Sequence, residues 1–279
     1  MESSIIIGTH ERKKYLQEVL ESLKVLDYKG YEVIVIDSAK EPLDKTHQKL
    51  CNTYIHSPKD KALSIKRNIG LKKAKGDFVV YTDDDCEFSK DYLKEILKPL
   101  KNKEIMCVTG KTIAHKNYLK EGFEKYFSFN LGNKEKEINF NLFLNPWRIG
   151  HGNNMAYRKE IFNQVGLFDE NLGVGAKGER SEDTDMFYRV LKKGYKIYYN
   201  PKAIIYHKHL IKKEQLPRMA LLNGYGSYIL LKKHFPGLNA LIYYFGGIIK
   251  LSIKLIFSKS KFQRIIRYNT LKGWLGSKN

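Results

Sequence analysis

Three consecutive carboxylates, Asp83-Asp84-Asp85, directly follow an apolar run that is typical of a buried strand. Because like charges this close repel one another, a cation or hydrogen-bond donors must offset them if the fold is to stay stable. Alternate side chains of an extended chain share a face, so Asp83 and Asp85 are predicted to point the same way and Asp84 elsewhere. The pattern favours a site for a divalent metal and a diphosphate, with a solvated acidic turn as the alternative.

A second acidic segment, Glu182-Asp183-Thr184-Asp185, opens a predicted helix that follows the glycine-rich stretch 173–178. A carboxylate at this place could act as a general base and deprotonate an acceptor hydroxyl. Acidic residues at a helix start are also favoured by the helix dipole, for structural reasons alone. Both interpretations stay open on this pattern.

Other polar residues could complete such a site. Arg67, on a predicted helix, could contact the phosphates of a ligand, although a helix-surface arginine is more often merely solvated. The small polar pair Asn153-Asn154 could let the backbone approach a ligand, or could belong to an ordinary turn. His207 ends a predicted strand, where its imidazole could complete a metal shell with Asp85.

Strands and helices alternate along the first part of the chain. Strand-like runs at 4–7, 32–36 and 77–82 are separated by apolar residues at helical spacing. This alternation implies right-handed crossovers and a mostly parallel α/β sheet flanked by helices. Because ligands bind at the carboxyl ends of strands in such sheets, Thr9, Asp37 and the acidic run are predicted to gather on one edge.

The positive charge is concentrated at the C-terminal end. Fifty Lys and Arg against thirty Asp and Glu give a net charge of +20, and residues 211–279 contribute thirteen basic residues and one Glu, a net +12. Such charge suits nucleic acid, an anionic membrane or a phosphorylated substrate. Residues 238–257 are mostly apolar but include Lys250 and Lys254. We favour a helix lying in the membrane interface over one packed on the catalytic part, and a membrane span least of the three.

Cysteine usage and the N-terminus indicate the compartment. Cys51, Cys86 and Cys107 are widely spaced and form no CxxC pair, and the N-terminus has no signal-peptide pattern. Both observations favour a reducing, cytoplasmic setting. We therefore expect a peripheral protein at the cytoplasmic face of the membrane.

Six segments occur in an order that is typical of one enzyme family. They are 4–12 (SIIIGTHER), 33–38 (VIVIDS), 66–70 (KRNIG), 76–86 (GDFVVYTDDDC), 152–158 (GNNMAYR) and 182–185 (EDTD). In this order the chain resembles the inverting glycosyltransferases of family 2, which have a GT-A fold. The resemblance extends from residue 4 to about residue 210, and it implies a Rossmann-like GT-A domain followed by a C-terminal helical region.

The resemblance also implies roles for the residues of the donor pocket. Thr9 and Glu11 would line the nucleotide pocket, and Asp37 would meet the base. Ser38 stands where relatives have a second Asp. Asp83 would face the ribose or the metal, and we assign two further residues to the donor. These are Arg67 and Asp84.

The metal and the acceptor would be held by other matched positions. Asp85 would bind Mn²⁺ or Mg²⁺, with Asp83 and His207 as further ligands. Asp183 would be the catalytic base, and Glu182 beside it would orient the acceptor. We also assign two amide side chains to the acceptor. These are Asn153 and Asn154.

The sequence thus predicts a metal-dependent inverting glycosyltransferase. It would move a sugar from a nucleotide-diphosphate donor, with UDP-sugars favoured, to a hydroxyl of a glycan or lipid-linked precursor. Residues 1–110 would form the nucleotide-sugar-binding half, 111–210 the half with the acceptor site and the catalytic base, and 211–279 a basic amphipathic helical tail.

Two alternatives, another kind of nucleotide enzyme and a nucleic-acid-binding protein, fit the sequence less well. A sugar nucleotidyltransferase needs a glycine-rich phosphate loop after the first strand, where this chain has only Gly8. A dehalogenase-like phosphatase needs Thr or Val where Glu87 stands. A basic nucleic-acid-binding protein would leave the strand-end carboxylates unexplained, since they repel phosphate.

Overall fold

The computed structural model describes residues 2–116, 128–138, 149–208, 212–235 and 237–279, with only the backbone at 238–240. The expected acceptor-binding half falls partly on residues 117–127 and 139–148, which lie outside the described residues. The chain divides into two compact units. The first unit comprises Met1–Phe168 and Asp183–His209, and the second comprises Asp169–Glu182 and Leu210–Asn279. The domain boundaries drawn from the sequence stay a prediction.

A nine-stranded sheet forms the centre of the first unit, in the part of the chain that the structure describes. The strands are β1 Ser3–Thr9, β2 Tyr31–Asp37, β3 Thr53–His56, β4 Phe78–Asp83, β5 Cys86–Phe88, β6 Ile105–Ala114, β7 Lys136–Ile138, β8 Met155–Arg158 and β9 Lys196–His207. Their order is β3-β2-β1-β4-β8-β6-β9-β5, and β7 pairs with β9. The predicted α/β class is confirmed.

Strand direction differs between the two halves of this sheet. The four strands from β3 to β4 are parallel, whereas β8 runs antiparallel to both of its neighbours. The chain leaves β1 towards β2 on one side and later returns as β4 on the other side. Such a switch point opens a crevice at the carboxyl ends of the strands, where ligands bind in α/β sheets.

Helices connect the strands and form the second unit. They are α1 Lys13–Leu23, α2 Lys45–Gln48, α3 Leu63–Lys73, α4 Tyr92–Leu97, α5 Ile161–Val165, α6 Glu182–Lys192, α7 Leu216–His234, α8 Leu238–Ile256 and α9 Lys261–Trp274. Among the described residues, none of these helices is both long and apolar enough to cross a membrane.

The alternation of apolar side chains in β1 places a core on each face of the sheet. Ile5 and Ile7 belong to a cluster that includes Leu20 of α1. Ile6, which points the opposite way, belongs to a cluster that includes Phe187 of α6. Apolar side chains therefore cover both faces of the sheet.

Glycines allow the helices of the second unit to pack closely. A Cβ added to Gly224 would clash with the backbone oxygen of Thr270, and one added to Gly273 would clash with that of Leu221. In α8, a Cβ on Gly247 would clash with the ring of Trp274, whereas a Cβ on Gly246 would meet nothing within 4 Å. The two adjacent glycines of α8 thus face different surroundings.

The adjacent glycines give a matched pair of substitutions. Gly246→Ala removes the conformational freedom of glycine from an open helix position and should stabilise the fold by about 1 kcal/mol. Gly247→Ala must displace Trp274 and should destabilise the fold by about 1–3 kcal/mol. Urea unfolding of both variants measures the difference. Equal shifts of the two midpoints would contradict this packing of α8 against α9.

Candidate active site

The predicted gathering of polar residues at one sheet edge is confirmed. β1, β2 and β4 end at Thr9, Asp37 and Asp83, and the sheet register pairs Thr9 with Asp37 and Gly8 with Asp83. The carboxyl ends of three parallel strands therefore lie side by side. The acidic residues that follow β4 face the loop that follows β1.

Asp84 and Asp85 lie in a turn after β4 and are both nearly inaccessible to solvent. Arg12 Nη1 donates to Asp84 Oδ1 and to Asp85 Oδ2, each at 3.0 Å. Thr9 Oγ1 donates to Asp84 Oδ2 at 2.6 Å. The prediction that Asp84 points away from its neighbours is therefore wrong. Strand alternation ends at Asp83, and the turn aims the next two carboxylates at one guanidinium.

The carboxyl group of Asp84 shows the electrostatic cost of this cluster. Burial, followed by the charge of Asp85, raises the pKa of Asp84 to about 6, while Arg12 and the hydrogen bond from Thr9 act to lower it. The ionised turn therefore depends on nearby cations. Arg12 supplies one of them, and a bound metal ion would supply another.

Asp85 contacts His207 directly. Cys86 of β5 lies opposite His207 of β9 in the antiparallel register, which brings the imidazole to the turn. His207 Nε2 lies 2.7 Å from Asp85 Oδ1, and Asn153 Nδ2 lies 3.1 Å from His207 Nδ1. Burial opposes protonation of the imidazole, but Asp85 outweighs it and the pKa of His207 is raised. The pair is thus held from both sides.

The ligand atoms of Asp85, Cys86 and His207 lie within 4.8 Å of one another, in a buried group found among the described residues. Carboxylate ligands suit Mg²⁺ and Mn²⁺, imidazole suits divalent transition metals, and thiolate suits softer metals. Burial raises the pKa of the Cys86 thiol well above its ordinary value, so the thiol keeps its proton. Asp85 and His207 therefore fit a divalent cation, and the protonated Cys86 thiol belongs to the hydrophobic core.

Asp83 lies outside this group and is held by Arg67. Its Oδ1 is 3.7 Å from Arg67 Nη2, which also donates to the Gly152 oxygen at 2.9 Å. The Arg67 side chain is 2% exposed, and its guanidinium packs over the rings of Tyr81 and Phe168. The alternative of a solvated surface arginine is therefore wrong. Arg67 is a buried cation that joins the end of β4 to the loop 149–154, which contains Gly152.

Asp183 stands at the beginning of α6, as predicted. Its Oδ1 accepts hydrogen bonds from the Thr184 backbone N–H at 2.6 Å and from Thr184 Oγ1 at 3.1 Å. A Cβ on Gly152 would lie 3.1 Å from Asp183 Oδ2 and 2.9 Å from Arg67 Nη2. Gly152 is thus the spacer between the base predicted from the sequence and the arginine that holds Asp83.

Glu182, which precedes Asp183, belongs to the second unit and is 6% exposed. Within that unit it lies against Gly173, where an added Cβ would be 3.1 Å from the Glu182 carboxylate. Gly173 has a φ of +95°, a conformation that glycine adopts without strain. The role of Glu182 in orienting an acceptor stays a prediction.

The two asparagines assigned to the acceptor are buried and already engaged. Asn154 is 0% exposed, and its Nδ2 donates to the backbone oxygens of Lys111 and Ala203, both at 3.1 Å. Asn153 is 1% exposed and contacts His207 and the Thr112 hydroxyl. Both side chains thus make hydrogen bonds within the fold, and their role in binding an acceptor stays a prediction. Asn154 ties β6 to β9, and Asn153 positions His207.

Glu11 and Asp37 organise the loops that follow β1 and β2. Asp37 is 1% exposed and accepts hydrogen bonds from the Ala39 N–H at 2.8 Å and the Tyr54 hydroxyl at 2.6 Å. Glu11 has a φ of +54°, unusual for a residue with a side chain, and accepts from the Lys40 N–H at 2.6 Å. Their contacts with a nucleotide stay predictions.

Sequence reasoning missed two cations of the site, Arg12 and Lys66. Lys66 Nζ donates to the Thr9 oxygen at 3.0 Å and to Ser38 Oγ at 3.1 Å, from a buried position. Burial lowers the pKa of Lys66 to about 8, although Asp84 acts to raise it. Arg12 follows Glu11, and Lys66 precedes Arg67, within the segments that carry the family resemblance. This adjacency to predicted site residues could have identified both cations.

Comparison with known proteins decides the family. Residues 4–166, more than half of the chain, match the family described as Glycosyl transferase family 2. The chain belongs to glycosyl transferase family 2. It is therefore a glycosyltransferase, and this membership decides against the nucleotidyltransferase, phosphatase and nucleic-acid-binding alternatives.

Individual relatives of this family 2 glycosyltransferase are distant. A glucosyl-dolichyl phosphate glucuronosyltransferase of Haloferax volcanii is 24% identical in an alignment 219 positions long, which covers 75% of this chain and 69% of the relative. A chondroitin synthase of Pasteurella multocida is 29% identical in an alignment 246 positions long, which covers 76% of this chain. The matched region is 25% of that longer protein.

Solved structures share the fold of this family 2 glycosyltransferase. A mannosyltransferase from Pyrobaculum calidifontis in complex with GDP-Man and Mn²⁺ has a TM-score of 0.66 at 15% identity, covering 98% of this chain and 86% of that one. S. aureus TarS in complex with UDP has a TM-score of 0.57 at 17% identity, covering 98% and 90%. The predicted GT-A fold with a C-terminal helical region is confirmed.

Because Gly152 separates Asp183 from Arg67, one methyl group added at this position should strongly reduce turnover by this family 2 glycosyltransferase. Gly152→Ala forces Arg67 or Asp183 to move by a few tenths of an ångström or more. Turnover of a nucleotide-sugar donor should fall on the order of a hundredfold, because catalysis depends on alignment. The matched control is Gly246→Ala, whose added Cβ meets open space. Equal turnover of the two variants would contradict the spacer role.

The lowered pKa of Lys66 predicts that the free energy of unfolding depends on pH. Below about pH 8 the amine is charged in both the folded and the unfolded chain, and burial disfavours that charged form. Between about 8 and 10.5 the folded chain releases the proton first, so the wild type gains stability as pH rises. Relative to Lys66→Met, the gain should reach up to about 3 kcal/mol. Urea unfolding of both proteins at several pH values in this range measures it, and a pH-independent difference would contradict the assignment.

Proposed function

We propose that this enzyme is a metal-dependent, inverting glycosyltransferase that uses a nucleoside-diphosphate sugar, with UDP-sugars favoured. The acceptor is a hydroxyl of a glycan or a lipid-linked precursor. The observation that carries the proposal is the buried contact between Asp85 and His207 at the carboxyl edge of the sheet. The complexes of two structural neighbours support it, one with GDP-Man and Mn²⁺ and one with UDP.

The metal would be Mn²⁺ or Mg²⁺, held by Asp85 and His207. When bound, such a cation neutralises the charge that develops on the departing diphosphate. Asn153 holds the imidazole from its other nitrogen, so the orientation of His207 is fixed before any ligand arrives. Arg12 balances the remaining charge of Asp84 and Asp85.

The exposure of Asp83 supports its proposed role in donor binding. It is the least buried of the three carboxylates, with 29% of its side chain exposed. Arg67 lies 3.7 Å behind it and limits its movement. A carboxylate placed in this way can accept hydrogen bonds from ribose hydroxyls. Asp37, Glu11 and Thr9 would then shape the nucleotide pocket from the neighbouring strand ends.

Asp183 is proposed as the catalytic base. Its Oδ1 is occupied by two donors from Thr184, which leaves Oδ2 as the oxygen that takes the proton. As the acceptor oxygen bonds to the anomeric carbon, the bond from that carbon to the diphosphate breaks on the opposite face. The acceptor proton passes to Asp183, and the configuration of the sugar inverts.

The test combines ligand screening with one substitution. We expect UDP-sugars, screened beside GDP-, CDP- and dTDP-sugars, to raise the melting temperature only when Mn²⁺ or Mg²⁺ is present. Asp183→Asn should keep this metal-dependent rise but reduce release of the nucleoside diphosphate on the order of 10²–10⁴-fold. Asp91→Asn, which changes an exposed aspartate outside the site, is the matched control.

Three results would overturn parts of this proposal. If no nucleotide sugar stabilises the protein in a metal-dependent way, the donor and metal assignments fail. If Asp183→Asn turns over the donor as fast as Asp91→Asn, Asp183 is not the base. A product that retains the donor configuration, read by NMR of the anomeric proton, would contradict inversion.

A further inference from the structure

One face of α8 carries large apolar side chains that are exposed. The exposed fractions range from 51% to 75%, and they belong to Leu241, Ile242, Phe245, Ile249, Ile253, Ile256 and the following Phe257. Their spacing of three and four residues places them along one side of the helix. A contiguous apolar face of this kind on a folded protein marks an interaction surface.

The opposite side of α8 is already packed within the second unit. Gly247 lies against the ring of Trp274, whose Nε1 donates to the Tyr244 oxygen at 3.1 Å. The Tyr243 ring packs against Phe235 at 4.7 Å between centroids. The exposed stripe is therefore an additional face of a helix whose other face is satisfied.

Positive charge borders this stripe, and negative charge is missing from the sequence around it. Residues 238–279 contain eight Lys and Arg and no Asp or Glu. Lys250 and Lys254 are exposed at one margin of the α8 stripe. Beyond it, an open cavity of about 660 Å³ is lined by Lys259, Lys261 and Arg264 together with apolar side chains.

The apolar stripe and the basic residues beside it together fit one kind of partner. A second copy of this chain would bring two cationic margins together with no acidic residue in 238–279 to pair them. A nucleic acid would match the charge but would leave the exposed isoleucines and phenylalanines in water. An anionic membrane surface matches both, because acyl chains accept the apolar side chains and headgroup phosphates accept the lysines and arginines.

We propose that α8 lies flat in the interface of an anionic membrane, with its apolar stripe among the acyl chains and its basic margin at the headgroups. The helix does not need to cross the bilayer for this, in agreement with the lack of a spanning helix among the described residues. The surface belongs to the second unit alone, so the proposal is independent of the donor chemistry of the first.

Vesicle co-sedimentation of the full chain tests the proposal. The wild type should sediment with phosphatidylcholine vesicles that contain phosphatidylglycerol and remain in solution with phosphatidylcholine alone, and added salt should weaken binding. Ile249→Asp/Ile253→Asp should reduce the bound fraction on the order of tenfold or more. Val25→Asp, which changes an exposed apolar residue of the first unit, is the matched control and should bind like the wild type.

A charge-reversal variant provides a second test of membrane binding in case the double Asp variant does not fold. Lys254→Glu/Lys261→Glu keeps the apolar stripe and should lose the preference for the anionic vesicles. Circular dichroism checks that each variant keeps its helices.

Any of three results would overturn the proposal. The first is absence of wild-type binding to anionic vesicles, and the second is equal binding by the wild type and both double variants. The third is a dimer in sedimentation velocity that the Ile249→Asp/Ile253→Asp variant abolishes, without vesicle binding, which would assign the stripe to a second copy.

Discussion

The crowding of three carboxylates at the end of β4 is the constraint on which the rest of the site depends. Burial of Asp84 beside Asp85 raises the pKa of Asp84 to about 6, so the ionised turn persists only with cations close by. The chain draws these cations from separate elements. They are Arg12 from the loop after β1, Lys66 and Arg67 from α3, and His207 from the end of β9.

The sheet topology brings the partners of these carboxylates to one edge. The parallel strands deliver Thr9, Asp37 and Asp83 to one edge, as an α/β crossover fold requires. The antiparallel pairing of β5 with β9 then returns His207 to the same edge. Proteins that place charge in a buried turn must also place its partners there, and the topology does both.

Strand-end chemistry was predictable from the sequence because apolar runs mark buried strands and the residues after them must lie at the edge. The orientation of Asp84 was not predictable, since strand alternation stops where the turn begins. Arg12 and Lys66 were missed because a basic side chain in a polar loop or on a helix is solvated by default. The buried hydrogen bonds of Asn153 and Asn154 were not predictable either, because an amide suits a ligand and a backbone carbonyl equally well and only tertiary packing distinguishes the two.

We propose that the acidic turn holds a divalent cation together with His207. Titration of Mn²⁺ in the presence of UDP, followed by electron paramagnetic resonance, tests it most directly. The wild type should show a saturable Mn²⁺ site, and Asp85→Asn should lose about tenfold or more of the affinity. Unchanged Mn²⁺ affinity in Asp85→Asn would show that Asp85 is not a ligand of the metal.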